Sequence, residues 1–212
     1  MSFVLLCALP PEAVAVRAGL RRSGGSPAGR GRVRLVGMGP VRARKAAARL
    51  ASVLPDGQPA VVLGVGGALV GGFAPGDLVV ADALGSADQD GDGQLRVTRP
   101  PVALDARSAA FSDQVAAALS TRLPSSRQAP MISARRTAKG AERPALGESG
   151  AVICDTESYW LSRLAERRPF AVVRAIVDTP ERELVSVQTV TGGLRGLRRL
   201  SDAAEVLAGL LS

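Results

Sequence analysis

The chain contains no histidine. That absence excludes the Ser-His-Asp triad, the common imidazole-based zinc sites and the usual imidazole general base. Acid–base chemistry therefore falls to Asp, Glu or water. Aromatic residues make up 3% of a chain that is 46% hydrophobic, so the core must be built mainly from Val, Leu and Ala. Only two cysteines occur, Cys7 and Cys154, both in apolar surroundings. They form neither a paired framework nor a metal spacing, and read as buried reduced thiols. No apolar run approaches the roughly 20 residues that cross a bilayer. The apolar run Phe3–Ala8 has no basic residue before it and meets Pro10-Pro11-Glu12, so it does not read as the core of a signal peptide. The expectation is a soluble, cytoplasmic protein.

With 212 residues, one domain spanning 1–212 is expected, large enough to bury a core without disulfides or metals. The net charge is +8, which raises the question of nucleic acid. However, the 27 basic residues, all Arg except Lys45 and Lys139, are scattered along the chain. A nucleic-acid face would be a clustered patch, often with interleaved aromatics, so no nucleic-acid partner is expected. Attraction to anionic lipid accounts for the charge at least as well.

Along the chain, strands are expected at Phe3–Leu9, Val33–Val36, Ala60–Leu63, Leu78–Ala83, Gln128–Ser133, Ala151–Cys154 and Ala171–Val177. Helices are expected from Pro11, and over Val41–Leu54, Ser108–Leu123, Ser158–Arg167 and Leu194–Leu211. Arg21–Arg32 and Asp88–Gly93 read as loops, and Pro75-Gly76-Asp77 as a turn. Strands alternating with helices imply an α/β domain whose central sheet is mostly parallel, or mixed, and flanked by helices.

Two acidic segments stand out: Cys154-Asp155-Thr156-Glu157-Ser158 and Arg174-Ala175-Ile176-Val177-Asp178. Each sits at the end of an apolar run, where α/β chains place ligand-binding side chains. A neutral or apolar surround lets an Asp hold a proton and donate it, which makes Asp178 a candidate for protonating a leaving group. Its alternative is an ion pair with a neighbouring Arg. Glu157 can accept hydrogen bonds from a cis-diol, or simply favour a helix N-terminus, and Asp155 can cap the same helix. Glu12, beyond the first strand, can orient and deprotonate water or act only on the helix dipole. Gly64-Val65-Gly66-Gly67 follows a strand and lets backbone approach a ligand. Leu69 breaks the Rossmann G-x-G-x-x-G spacing, and no Gly-Lys-Ser/Thr follows for a phosphate loop.

In order, Glu12, then Gly64–Gly67 with Gly76-Asp77-Leu78-Val79-Val80, then Asp155-Thr156-Glu157, then Pro169 to Asp178 resemble the purine nucleoside phosphorylase and methylthioadenosine/S-adenosylhomocysteine nucleosidase superfamily. The resemblance covers most of the chain and implies a single-domain nucleoside phosphorylase-like fold. It implies that Asp178 protonates purine N7, that Glu157 binds the ribose hydroxyls and that Glu12 activates the attacking water. It places Thr156, Val65, Gly66 and Gly67 against the substrate, and implies neither cofactor nor metal. Glycosidic cleavage needs a proton for the base and negative charge beside the sugar cation, which fits these assignments. Three departures stand out. Val65 replaces a Ser or Thr common in relatives, Thr156 replaces a Met, and Ser133–Thr137 lacks the aromatic residue that often stacks on the base.

Within the superfamily, Gly37-Met38-Gly39-Pro40-Val41-Arg42-Ala43-Arg44 and Pro169-Phe170-Ala171-Val172-Val173-Arg174 look most like the hopanoid-associated nucleosidases. That likeness implies release of adenine from adenosylhopane, a homodimer, and peripheral contact with membrane through Leu194, Leu197, Leu200, Leu207 and Leu211 of the last helix. The plain alternative for those leucines is packing against the sheet or against a dimer partner. Two other activities remain open at this stage. One is a phosphorylase, with Arg42 and Arg44 holding phosphate. The other is a catalytically silent protein that binds a nucleoside or lipid.

Overall fold

A computed structural model of the chain describes residues 3–24, 33–181 and 188–210. The elements run β1 (Val4–Cys7), α1 (Pro10–Arg22), β2 (Val33–Leu35), α2 (Pro40–Val53), β3 (Ala60–Ala68), β4 (Leu78–Gln89) and β5 (Leu95–Ala103). They continue with α3 (Ala106–Arg122), β6 (Ser126–Ala134), α4 (Glu142–Gly147), β7 (Ile153–Asp155), α5 (Ser158–Leu161), β8 (Phe170–Asp178) and α6 (Gln188–Leu210).

Helix starts follow from local chemistry. Pro10 and Pro11 open α1 where their missing N–H groups cost nothing, and Glu12 reaches back to the backbone before the helix. Pro40 opens α2 after Gly39, whose φ of 87° is open to glycine. Asp105 caps α3 by accepting from the Arg107 and Ser108 N–H groups, each at 3.1 Å.

The sheet is mixed. Strands β2, β1, β3 and β8 are parallel neighbours, and β4, β6 and β7 form a second parallel set. The two sets join antiparallel through β8 with β4 and through β7 with β3, so β3, β8, β4, β6 and β7 close into a ring. A layered sheet was expected; the ring arises because β3 and β4 each keep a partner on both routes. Alternate residues of β1 serve opposite faces. Phe3, Leu5 and Cys7 pack with α1, α3 and α6, while Val4, Leu6 and Ala8 pack with α2 and the Trp160–Leu161 turn of α5. Both faces are covered, which explains the continuous apolar runs.

Several expected boundaries move. Strand β4 runs on to Gln89, past the predicted end at Ala83, and pairs with β5, which no pattern predicted. Arg96, Arg99, Pro100 and Pro101 disguise β5, and they are tolerated because it is an edge strand. Gly64–Gly67 lies inside β3 rather than beyond it. The helix predicted over Ser158–Arg167 is one α turn followed by a 3-10 turn, Ser162–Glu166. Of the predicted loop Arg21–Arg32, α1 takes the first two residues, and 25–32 lie outside the described residues.

Helix α6 settles the fate of its leucines. Leu200 and Leu207 are fully buried against the core, each contributing about 1.5–3 kcal/mol, and Leu197 is half-buried there. Leu194 is 62% exposed, and Leu211 lies outside the described residues. Leu200 and Leu207 thus follow the alternative reading and pack in the core. Among the described residues, no helix is long and apolar enough to cross a membrane.

Candidate active site

A cavity of about 330 Å³ opens where strands end. Its walls come from Ala8 and Leu9 after β1, Val65–Gly67 in β3, Cys154–Glu157 at β7, and Val177 and Asp178 at the end of β8. Glu12 of α1, Arg143 of α4 and Leu197 of α6 also line it. Convergence of strand C-termini on one crevice is how parallel sheets build ligand sites, and the volume suits a small organic ligand. All seven predicted site residues, Glu12, Val65, Gly66, Gly67, Thr156, Glu157 and Asp178, line it.

One part of the cavity is organised by Arg174, a single charge inside the apolar strand β8. Its guanidinium is fully buried, 2.5 Å from the Asp155 carboxylate and 3.2 Å from Glu157, and it donates to Ser158 Oγ at 2.9 Å. Asp155 also accepts from the Ser133 and Ser158 hydroxyls and from the Glu157 and Ser158 N–H groups. The capping role expected of Asp155 is present, together with a second role as counter-ion. Gly64 stands opposite Arg174 in the sheet, and a methyl group there would collide with Arg174 Nη1 and lie 2.8 Å from Glu12 Oε1. The glycine is the space in which those two side chains meet.

Glu12 is 1% exposed and accepts three backbone N–H groups: Ala8 at 2.9 Å, Leu9 at 2.8 Å and Val65 at 2.9 Å. A carboxylate offers about four acceptor positions, so roughly one remains for a water molecule. Glu12 closes the start of α1 and also lines the cavity. Val65 takes part through its backbone, donating to Glu12 and accepting from Arg174 at 3.3 Å.

Glu157 accepts from the Gly39 N–H at 3.0 Å, from the Thr156 hydroxyl and from Arg174. Burial pushes its carboxyl above the ordinary range, Arg174 draws it down and Asp155 pushes it up again. Thr156 thus holds Glu157 by its proton and keeps lone pairs for a ligand hydroxyl. Thr156 adds an acceptor beside the glutamate.

Asp178 was expected in a neutral or apolar surround. It is instead 1% exposed and ion-paired with Arg143, itself 3% exposed. Arg143 also donates to the Ala68 carbonyl at 2.5 Å. A register shift in β3 between Gly66 and Gly67 sets Gly67 opposite Asp178. A Cβ at Gly67 would lie 2.5 Å from Asp178 Oδ1 and 3.3 Å from Arg143 Nη1. Arg143 had no signal in the sequence, because α4 is six residues long and carries no amphipathic period. Arg174 had one, since a charge inside a buried strand requires a buried counter-ion.

Other features complete the site. Thr137 and Ala138 face the cavity where an aromatic is absent, and no aromatic side chain lines it among the described residues. The Cys154 thiol is pushed up to about 12, first by burial and then by Asp155, and stays uncharged. Arg42 and Arg44 are exposed and do not line the cavity; Arg44 lies 5.6 Å over the Trp160 ring. Among the described residues no group of three or more Cys, Asp or Glu side chains is placed to share a metal ion.

No family model and no curated protein matches the chain. Solved structures do. The 5′-methylthioadenosine/S-adenosylhomocysteine nucleosidase of Neisseria meningitidis, in complex with methylthio-immucillin-A, matches at 18% identity with a TM-score of 0.74, covering 98% of this chain and 99% of that one. The Helicobacter pylori futalosine hydrolase matches at 16% identity with a TM-score of 0.75, covering 100% and 97%. The S. pneumoniae methylthioadenosine/S-adenosylhomocysteine nucleosidase, with a transition-state inhibitor, matches at 21% identity with a TM-score of 0.70, covering 100% and 98%. At these identities the likeness shows the fold, an α/β architecture with a mixed central sheet flanked by helices.

Proposed function

We propose that the protein is a nucleosidase that hydrolyses the N-glycosidic bond of a 5′-substituted adenosine, and that residues 1–212 form one such domain. The observation that carries this is the pairing of two charged groups in one cavity. Glu12, Asp155 and Glu157 surround Arg174, while Asp178 with Arg143 stands further along the same strands. Gly64 and Gly67 mark the two groups on β3, roughly 10 Å apart at strand rise. That is the scale of a nucleoside laid from sugar to base. The fold shared with nucleosidases supports the same reading.

The sugar sits at Glu157 and Thr156, which accept its hydroxyls. The C1′–N9 bond breaks with its electron pair passing to the purine, and Asp178 gives N7 a proton. A water held by Glu12 attacks C1′ and loses a proton to that carboxylate. Three carboxylates around one guanidinium leave net negative charge where the sugar becomes cationic, which stabilises the transition state. The same charge opposes phosphate at that position, and Arg42 and Arg44 lie outside the cavity, so water is favoured over phosphorolysis. Leu9, Pro11, Met38, Val177 and Leu197 give the cavity an apolar stretch that suits an apolar 5′ substituent. Adenosylhopane, cleaved to ribosylhopane and adenine in hopanoid biosynthesis, is the preferred substrate. We propose further that the protein is a cytoplasmic homodimer that touches membrane peripherally.

The test is adenine release from methylthioadenosine, adenosine and adenosylhopane, with and without phosphate. Release independent of phosphate is expected, with kcat lowered at least about 100-fold in Asp178→Asn while the circular dichroism spectrum persists. A strict requirement for phosphate would make the protein a phosphorylase. Ligand binding that survives Asp178→Asn, with no turnover by the unaltered protein, would make it a silent binder.

A further inference from the structure

Among the described residues, the leaving-group carboxylate is ion-paired with Arg143, which comes from an element that brings no other residue to the cavity. We infer that Arg143 is a positioning residue for the reaction: it stabilises the Asp178 carboxylate that forms as the purine takes its proton, and so sets the pH range of activity. The inference rests on the nucleosidase reading for its kinetics, but not for its electrostatics.

The geometry is specific. The guanidinium is pinned at Nη1 by the Ala68 carbonyl at 2.5 Å, and Nη2 is turned onto Asp178 Oδ2. Gly67 leaves the room in which the pair fits. The preceding residue, Glu142, fixes the helix that delivers Arg143. It accepts from Arg136 at 2.6 and 2.7 Å, from the Leu95 N–H at 3.1 Å and from the Lys139 N–H at 3.1 Å. Among the described residues, the other groups near Asp178 are engaged differently. The Cys154 thiol of β7 stays neutral. Arg174 lies four residues back on β8 and is committed to its own carboxylates. Glu181, after β8, lies against Gly71. Among the described side chains, β3 and α6 bring Val65, Gly66, Gly67, Gly193 and Leu197 to the cavity, none of them charged.

The proton balance shows what the cation does. Before reaction Asp178 carries a proton beside Arg143; when N7 takes it, a buried carboxylate is left behind. A carboxylate within a salt bridge is favoured over the neutral acid, so proton transfer runs downhill. The cost falls on the free protein, where the same cation resists loading of the proton. Activity is therefore highest on the acid side and falls as pH rises. The purine leaves as its neutral N7–H form, and Asp178 regains a proton from solvent, matching the one that water surrendered to Glu12.

The experiment compares Arg143→Gln and Arg143→Lys with the unaltered protein, following adenine release from methylthioadenosine between pH 5 and 9. In Arg143→Gln the acid-side kcat should fall about 10- to 100-fold with little change in KM. The alkaline fall of kcat/KM should move up by about one to two pH units, so the deficit shrinks as pH rises. Arg143→Lys should restore most of both. A deficit that is equal at every pH would overturn the inference and leave the nucleosidase reading standing. Carbon-13 NMR titration of the Asp178 carboxyl, assigned with Asp178→Asn, decides the electrostatics even if no nucleoside is cleaved. An Asp178 titration midpoint higher in Arg143→Gln than in the unaltered protein supports the pair, and an unchanged midpoint overturns it. Absence of purine release from the unaltered protein on every substrate would instead overturn the nucleosidase reading.

Discussion

Glu157 is 3% exposed, and burial and Asp155 push its carboxyl up while Arg174 draws it down. The net direction is upward, so folding favours the protonated form. The ionised form therefore lowers stability, beginning as pH rises through the ordinary carboxylate range and in full above the folded value. Glu157→Gln should remove that cost. We expect the Tm to rise by a few degrees at pH 8 and to change little at pH 4, measured by calorimetry. If the proposed nucleosidase reaction runs here, the same variant should lose about 100-fold or more in kcat/KM, because an amide binds sugar hydroxyls without adding negative charge beside the cation. A matching loss of stability at pH 8 would mean that Arg174 needs all of its carboxylates. The stability–activity conflict at this residue is physical: one guanidinium faces Glu12, Asp155 and Glu157.

At the scale of elements, α4 matters beyond its six residues. Glu142 is held down to about 2, mainly by the Arg136 side chain, and ties α4 to β5 through the Leu95 N–H. The folded carboxyl lies below its ordinary 4.5, so its stabilisation is complete above that value and is lost as pH falls towards 2. Glu142→Gln should cost about 1 kcal/mol at pH 7, since the Arg136 partner is partly exposed. The difference in Tm from the unaltered protein should vanish near pH 2. Activity should fall as well, since Arg143 is the next residue. Neither β5 nor α4 was legible in the sequence, although both shape the site. Strand β5 has prolines and arginines because only one side is paired, and α4 is too short to show a period. By contrast α2, α3, β1 and β8 were legible because two-sided or one-sided burial writes a clear pattern into their residues.

At the scale of the molecule, the +8 charge is spread over a surface whose long apolar helix face is already buried. Among the described residues, the large apolar side chains exposed near the cavity are isolated: Met38 beside it, Val41 three residues on, and Leu194 next to Gly193. Binding to vesicles containing phosphatidylserine should therefore be driven by charge and disappear in sedimentation assays at about 0.5 M salt. Leu194→Ser should alter it little. Retention on vesicles at high salt would point to insertion of apolar side chains instead.

The amino-acid sequence by itself determined the alternation of strands and helices, the aliphatic core, and the placing of Glu12, Glu157 and Asp178 beyond apolar runs. These are local facts, written in periodicity, in proline and glycine placement, and in carboxylates that end apolar runs. The tertiary structure decided the electrical state of those residues. Arg143 reaches Asp178 across 35 positions of chain, and Gly39 reaches Glu157 across 118. Charge pairing depends on distance in space, and the closed ring of β3, β8, β4, β6 and β7 sets those distances.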